Sequence, residues 1–332
     1  MFIIETYQLA ILFSVITMIC WGSWPNTQKL VARNWRFELF YWDYVLGILL
    51  ITVLLAVTLG SNGSSGVPFR EDITGAGRAG LFSAFLGGVI FNAANILFVA
   101  AIAIAGMSVA FPVGAGIGLV LGVVTNYIAV PSGNAIFLLA GVALIVMAII
   151  ISSTAYKRLS AVKNEVSTKG VILSAAAGIL FGFFYRFIAK SMYTDFSLPE
   201  PGRMGPYSAT VLFGTGVLLS NFVFNTFLMK RPLEGTPVSF GDYFKGSWKD
   251  HAMGMLGGII WGAGLVFSIL SAGKTGFAIS FGLGQGNALI AAIWGVFIWK
   301  EFKQAPPGTT RLLYLMFACY IAGLLCIMYA KS

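Results

Sequence analysis

Ten stretches of about twenty apolar residues follow one another along the chain, and this constrains the fold more than any other feature. A bilayer core about 30 Å thick is crossed by about 20 helical residues. Lipid offers no partners to backbone N–H and C=O groups, so stretches of this length must satisfy them internally, as helices. The spans read as residues 7–29, 39–60, 79–103, 107–129, 134–154, 169–190, 207–229, 252–271, 276–299 and 310–330. The predicted fold is therefore all-α: one polytopic membrane domain of ten transmembrane helices. Composition agrees, with 58% hydrophobic and 10% charged residues, against about a quarter charged in soluble domains. The 332 residues accommodate ten helices but not ten helices and a soluble domain. The start, MFIIE, lacks the basic region and cleavage site of a signal peptide and reads as the approach to the first helix.

The connections 104–107 and 272–275 are too short for anything but antiparallel helix hairpins. Lys and Arg concentrate on alternate connections. Lys29, Arg33, Arg36, Lys157, Arg158, Lys163, Lys169, Lys230, Arg231, Lys245, Lys249, Lys300, Lys303 and Arg311 fall on one face, against Arg70, Arg78, Lys190, Arg203, Lys274 and Lys331 on the other. Basic residues are retained on the cytoplasmic side. Both termini are thus expected outside a cytoplasmic (inner) membrane. The net charge of +9 is accounted for by these loops and by anionic lipid, so no nucleic-acid partner is expected. Cys20, Cys319 and Cys326 all lie in apolar stretches and read as packing residues, not as a disulfide frame.

The halves resemble each other. LGGVIFNAANILF from Leu86 aligns with LGGIIWGAGLVFS from Leu256, and the same offset of about 170 residues carries GMSVAFPVGAGIGL onto GFAISFGLGQGNAL. CWGSWPN from Cys20 matches LFGFFYR from Leu180. Two five-helix repeats, 1–160 and 161–332, are expected. An odd number of spans per unit makes them inverted, a common plan of secondary transporters, with the solute site at the repeat interface near the midplane.

Several residues could carry that site. Proline inside WGSWPNTQK (Trp21 to Lys29) removes a backbone hydrogen bond. Carbonyls freed there are tolerable in lipid only beside a cavity or another polar group. Trp21, Trp24, Asn26, Thr27 and Gln28 are candidate solute contacts, with Phe91, Tyr185 and Trp261 as further stacking surfaces. Asn92, Asn95, Gln285 and Asn287 offer amide donors and acceptors, although single amides in membrane helices commonly serve as interhelical glue. Arg186 could meet an acceptor on the solute, pair with a carboxylate or snorkel to the interface. A carboxylate out of water favours its neutral form, which makes Asp43 a candidate proton carrier, with Lys29 or a water-filled vestibule as the alternative that keeps it ionised. Sodium coupling stays open, because amides and broken-helix carbonyls also coordinate it. The glycine series from Gly114 and Gly282 lie in apolar spans with no preceding strand, which excludes nucleotide-loop readings. His251 stands beside Asp250 at a loop–helix junction with no metal set or nucleophile triad; neither an enzyme nor a cofactor is expected.

MFIIE at the start, GSWP at Gly22 to Pro25, WDY at Trp42 to Tyr44, SVAF…TNYI from Ser108, and WGAGLVF…AISFGLGQ…WGVFIWKEF in the second half resemble the ureide permease family of the drug/metabolite transporter superfamily, near its rhamnose and glucose/ribose uptake branches. The resemblance implies ten helices in inverted repeats and proton-coupled import of ureides such as allantoin, or of nucleobases such as uracil and xanthine. Trp24, Pro25, Asp43 and Tyr44 fall on family positions; Trp21, Asn26, Lys29 and a short central loop depart from them. These departures leave sugar import open, and multidrug export less favoured. A homodimer is also left open.

Overall fold

The computed structural model describes residues 1–159, 167–232 and 235–331, with Met107 and Ser108 described by their backbone alone. The expected boundary at 160/161 and Lys163 lie outside these residues. Among them are ten helices long and apolar enough to cross a membrane: span 1 Tyr7–Lys29, span 2 Phe37–Val57, span 3 Arg78–Ala105, span 4 Val109–Ala129, span 5 Ala135–Leu159, span 6 Thr168–Ser191, span 7 Pro206–Lys230, span 8 Trp248–Thr275, span 9 Phe277–Ile298 and span 10 Thr309–Tyr329. Spans 5 and 8 run several residues beyond the expected limits. Span 5 continues through Lys157 and Arg158, which favour a helix C-terminus. Span 8 begins earlier because Ser247 and Asp250 form a capping box that satisfies N–H groups of its first turn. Two short helices, Phe69–Gly75 and Phe240–Tyr243, lie in the connections before spans 3 and 8.

Two spans are broken. Span 1 stops at Ser23 and restarts at Pro25. The Asn26 amide bonds the Ser23 carbonyl (2.9 Å) and the Thr27 hydroxyl bonds the Trp24 carbonyl (2.8 Å), so polar side chains occupy the break. Span 9 stops at Gly284, restarts at Asn287 and finishes in a π-helical turn, Trp294–Ile298. The two breaks face each other: a Cβ on Gly22 would lie 2.5 Å from the Asn287 carbonyl, and one on Gly284 2.7 Å from the Trp21 ring.

The main packing relations recur when each span is exchanged with the one five places on. Span 3 packs on spans 6 and 7 as span 8 packs on spans 1 and 2; span 4 lies on span 6 as span 9 lies on span 1; spans 5 and 10 pack on each other. The tight connections also agree. Gly106 (φ 76°, ψ 160°) and Gly276 (φ 89°, ψ 152°) share a left-handed conformation that favours glycine, and each donates to a carbonyl four residues back at 2.8 Å. Close crossings repeat in the same way. A Cβ on Gly88 would collide with the Phe213 carbonyl of span 7, and one on Gly258 with the Tyr44 carbonyl of span 2. Small residues at such points let membrane helices approach backbone to backbone.

Candidate functional site

A cavity of about 490 Å³ lies among spans 1, 2, 3, 4, 6, 8 and 9. Its walls include Trp21, Trp24, Phe37, Phe91, Phe98, Phe111, Phe181, Phe184, Trp261 and Phe281. The innermost rings pack closely: Phe91 and Trp261, 170 residues apart, have centroids 4.3 Å apart, Trp21 stacks on Trp261 at 5.8 Å, and Phe181 meets Phe91 at 6.0 Å. The Trp21 indole N–H donates to the Trp261 carbonyl (3.1 Å), which fixes this floor.

The polar lining consists of Gln28, Asn95, Gln285 and Asn287, and no charged side chain lines the cavity among the described residues. The Asn95 amide N–H donates to the Tyr41 hydroxyl (2.9 Å), and its side-chain oxygen makes no hydrogen bond among the described residues. The side chains of Gln28, Gln285 and Asn287, and the Trp24 indole N–H, make no hydrogen bond among the described residues. These groups can serve a bound solute at no cost in internal bonding.

Of the residues expected at a solute site, the structure therefore brings Trp21, Trp24, Gln28, Asn95, Trp261, Gln285 and Asn287 to one cavity. It places the others elsewhere. Asn26 bonds the Ser23 carbonyl and accepts from the Trp299 indole (2.6 Å); Thr27 is buried on the Trp24 carbonyl. Asn92, fully buried, accepts from Tyr41 (2.9 Å) and donates to Ser220 (2.9 Å) and to the Val217 carbonyl (3.2 Å), joining spans 2, 3 and 7. The Tyr185 hydroxyl is engaged by Ser268 (3.0 Å) and Ser280 (3.4 Å). Arg186, half-buried, lies outside the cavity lining near Arg203, with no carboxylate partner among the described residues. The phenylalanines other than Phe91 escaped sequence reasoning, because in an apolar span a cavity-facing ring and a lipid-facing ring look alike.

Asp43 is buried on span 2, outside the cavity lining. Its carboxylate accepts from the Tyr243 hydroxyl (2.6 Å) and is 2.9 Å from His251 Nδ1. Trp35 packs edge-on to the imidazole at 5.3 Å. Burial and the adjoining carboxylate raise the proton affinity of the Tyr243 phenol, which lies outside the spans. Lys29, expected as an alternative partner of Asp43, pairs instead with Glu301 (2.8 Å), because span 1 ends against the end of span 9 and not against span 2. His251 had no expected role; its contact with Asp43 spans 208 positions of sequence. Asp250 beside it caps span 8 and accepts from the Ala32 N–H at 2.8 Å.

The cavity reaches toward the basic connections: Gln28 and Phe37 flank the loop between spans 1 and 2, and Ile102 and Phe111 flank that between spans 3 and 4. The opposite face is tied shut. Asp72, buried in the short helix Phe69–Gly75, accepts from the Tyr193 hydroxyl and from the Gly205 N–H (2.8 and 3.0 Å). The N-terminal amine bonds the Ser65 carbonyl (2.6 Å), and the Tyr207 hydroxyl the Phe2 carbonyl (3.1 Å).

A family model described as ureide permease matches residues 156–330. The chain belongs to the ureide permease family. Ureide permease 1 of Arabidopsis thaliana is 22% identical, covering 99% of this chain and 98% of its own length, and ureide permease 2 is 21% identical with the same coverage. A shorter stretch of 82 residues, 24% of this chain and 29% of the other, is 34% identical to "Probable glucose uptake protein GlcU" of Staphylococcus aureus. Among several solved structures that match, one crystal structure does so at a TM-score of 0.64 and 14% identity, over 98% of this chain and all of its own. That likeness concerns fold alone. A ureide permease family member with ten apolar helices is a multi-pass membrane protein.

Proposed function

We propose that the chain is a secondary transporter importing a small, neutral, flat solute, a ureide or a nucleobase such as allantoin, uracil or xanthine, coupled to protons. One observation carries the reading: a cavity walled by aromatic rings, with free amides and no charged lining among the described residues. Flat heterocycles present apolar faces to the rings and alternating N–H and C=O edges to the amides, which both donate and accept. The full-length likeness to two ureide permeases supports the same solute class.

The halves 1–160 and 161–332 act in this reading as inverted copies that rock about the cavity. The interchangeable neighbour pattern supports this. The basic face is cytoplasmic, so the conformation described is the one facing the cytoplasm, and both termini lie outside. Asp43 is the proposed proton carrier, with Tyr243 and His251 as its partners.

Uptake into proteoliposomes under an inward proton gradient tests the reading, with labelled allantoin, uracil and glucose offered in parallel. Accumulation of allantoin or uracil that an uncoupler abolishes is the expected result. Accumulation of glucose alone would overturn it. Sugar import is the second reading, favoured by the 82-residue likeness to the glucose uptake protein, since sugars also stack on aromatic rings.

A further inference from the structure

Beside the aromatic cavity, between spans 4, 5, 9 and 10, lies a smaller pocket of about 70 Å³. Phe111, Ala288 and Ala291 line both spaces, so the two adjoin. The small pocket differs in chemistry: Ser152, Ser153, Tyr156 and Tyr320 bring four hydroxyls to it. Tyr320 is 1% exposed. Neither its hydroxyl nor that of Ser152 has a hydrogen-bond partner among the described residues. Both line the pocket, where a bound group can pair with them.

The rim of this pocket is held in place. The Tyr156 hydroxyl donates to Glu301 (2.9 Å), leaving its lone pairs free to accept, and Glu301 is itself held by Lys29 (2.8 Å). Glu301 reaches Tyr156 because span 9 ends in the π turn Trp294–Ile298 and the chain then reverses at Lys300, whose φ is 53°. The approach needs Gly295: a Cβ there would lie 2.9 Å from both the Tyr156 hydroxyl and the Glu301 carboxylate. π-helical turns inside helices frequently mark functional sites. Lys29 thereby holds Glu301 at the rim of the pocket.

We propose that this pocket is a second compartment of the solute site, taking a short, neutral arm with N–H and C=O groups, such as a urea or carboxamide, from a solute whose flat ring lies among the aromatics. The proposal rests on the reading of the large cavity as a site for flat polar solutes. A water needs about 10–15 Å³ of such space, so a pocket of about 70 Å³ holds a group of roughly five to seven heavy atoms, enough for a urea. Its hydroxyls both donate and accept, as the edge of a urea requires. A ring alone leaves the Tyr320 and Ser152 hydroxyls without a partner among the described residues, so the pocket selects for solutes that carry the arm.

The test compares hydantoin with 5-ureidohydantoin (allantoin), which differ only in the arm. Binding of each to the purified full-length protein is measured by calorimetry, for the wild type, Tyr320→Phe and Ser152→Ala. The expected result is that the wild type prefers the arm-bearing ligand and that each variant loses about three- to tenfold of its affinity for that ligand alone. Unchanged hydantoin binding in the variants reports that they are folded. Equal affinity of the wild type for both ligands, or variants that weaken both alike, would overturn the side pocket while leaving the ring site standing. If the wild type binds neither, the ring site fails, and the side pocket with it.

Discussion

Asn95 and Asn92 stand one turn apart on the same helix, yet only Asn95 faces the cavity. The difference lies in bonding. Asn92 spends its amide on Tyr41, Ser220 and the Val217 carbonyl, whereas Gln28, Gln285 and Asn287 spend theirs on nothing within the described protein. Opposite outcomes follow for alanine variants. Asn92→Ala removes three buried hydrogen bonds and leaves the Tyr41 hydroxyl without its acceptor, which should cost about 1–3 kcal/mol of stability, seen as a lower melting temperature in detergent. Gln28→Ala or Gln285→Ala should leave melting unchanged and weaken solute binding about three- to tenfold, measured by calorimetry. Asp43 is distinguished by its partners. Asp43→Asn should abolish proton-driven accumulation while sparing exchange of solute for solute, and His251→Gln should shift the pH profile of uptake without abolishing exchange. Uptake by Asp43→Asn with an unaltered pH dependence would remove this residue from the proton path.

At the scale of elements, glycine crossings set how closely helices meet. Gly258 lies against the Tyr44 carbonyl and Gly47 of span 2, backbone against backbone, with no flexible side chain to yield. Gly258→Ala should therefore force spans 2 and 8 apart and cost about 1–3 kcal/mol, read as reduced thermal stability; Gly88→Ala should do the same for spans 3 and 7. The short helix Phe69–Gly75 plays another part. Its Asp72 joins the Tyr193 hydroxyl and the Gly205 N–H across the closed face, bonds that must break if that face is to open. Asp72→Asn weakens the charge-assisted contacts and should populate the opposite-open form. A cysteine placed at Phe91, at the cavity floor, would then react faster with a membrane-impermeant thiol reagent applied from the terminus-bearing side. Unchanged labelling would mean that the latch does not hold this face.

For the whole molecule, the proposed orientation rests on fourteen Lys and Arg on one face against six on the other. A protease-cleavable tag after Ser332 should be cut in intact cells and protected in inside-out vesicles; the reverse would turn the topology over. The ten spans were legible in sequence because hydropathy over about twenty residues reports the solvent around a helix, and lipid leaves the backbone no other choice. Span ends were less legible where caps or flanking charges extended a helix, as at Ser247–Asp250 and Lys157–Arg158. The repeat was expected from matching glycines, of which Gly88 and Gly258 lie where backbones cross. Trp21, Trp24 and Gln28 could be singled out because proline breaks their helix, and polar groups at a break need partners. Tertiary structure alone decided which amides are glue and which are free, that Lys29 meets Glu301, and that His251 and Tyr243 close on Asp43 across about two hundred residues of chain. Local sequence encodes how each helix crosses the membrane, because that depends on its own residues and the lipid around it. Which residue meets which depends on the packing of helices distant in sequence, and no single segment carries that information.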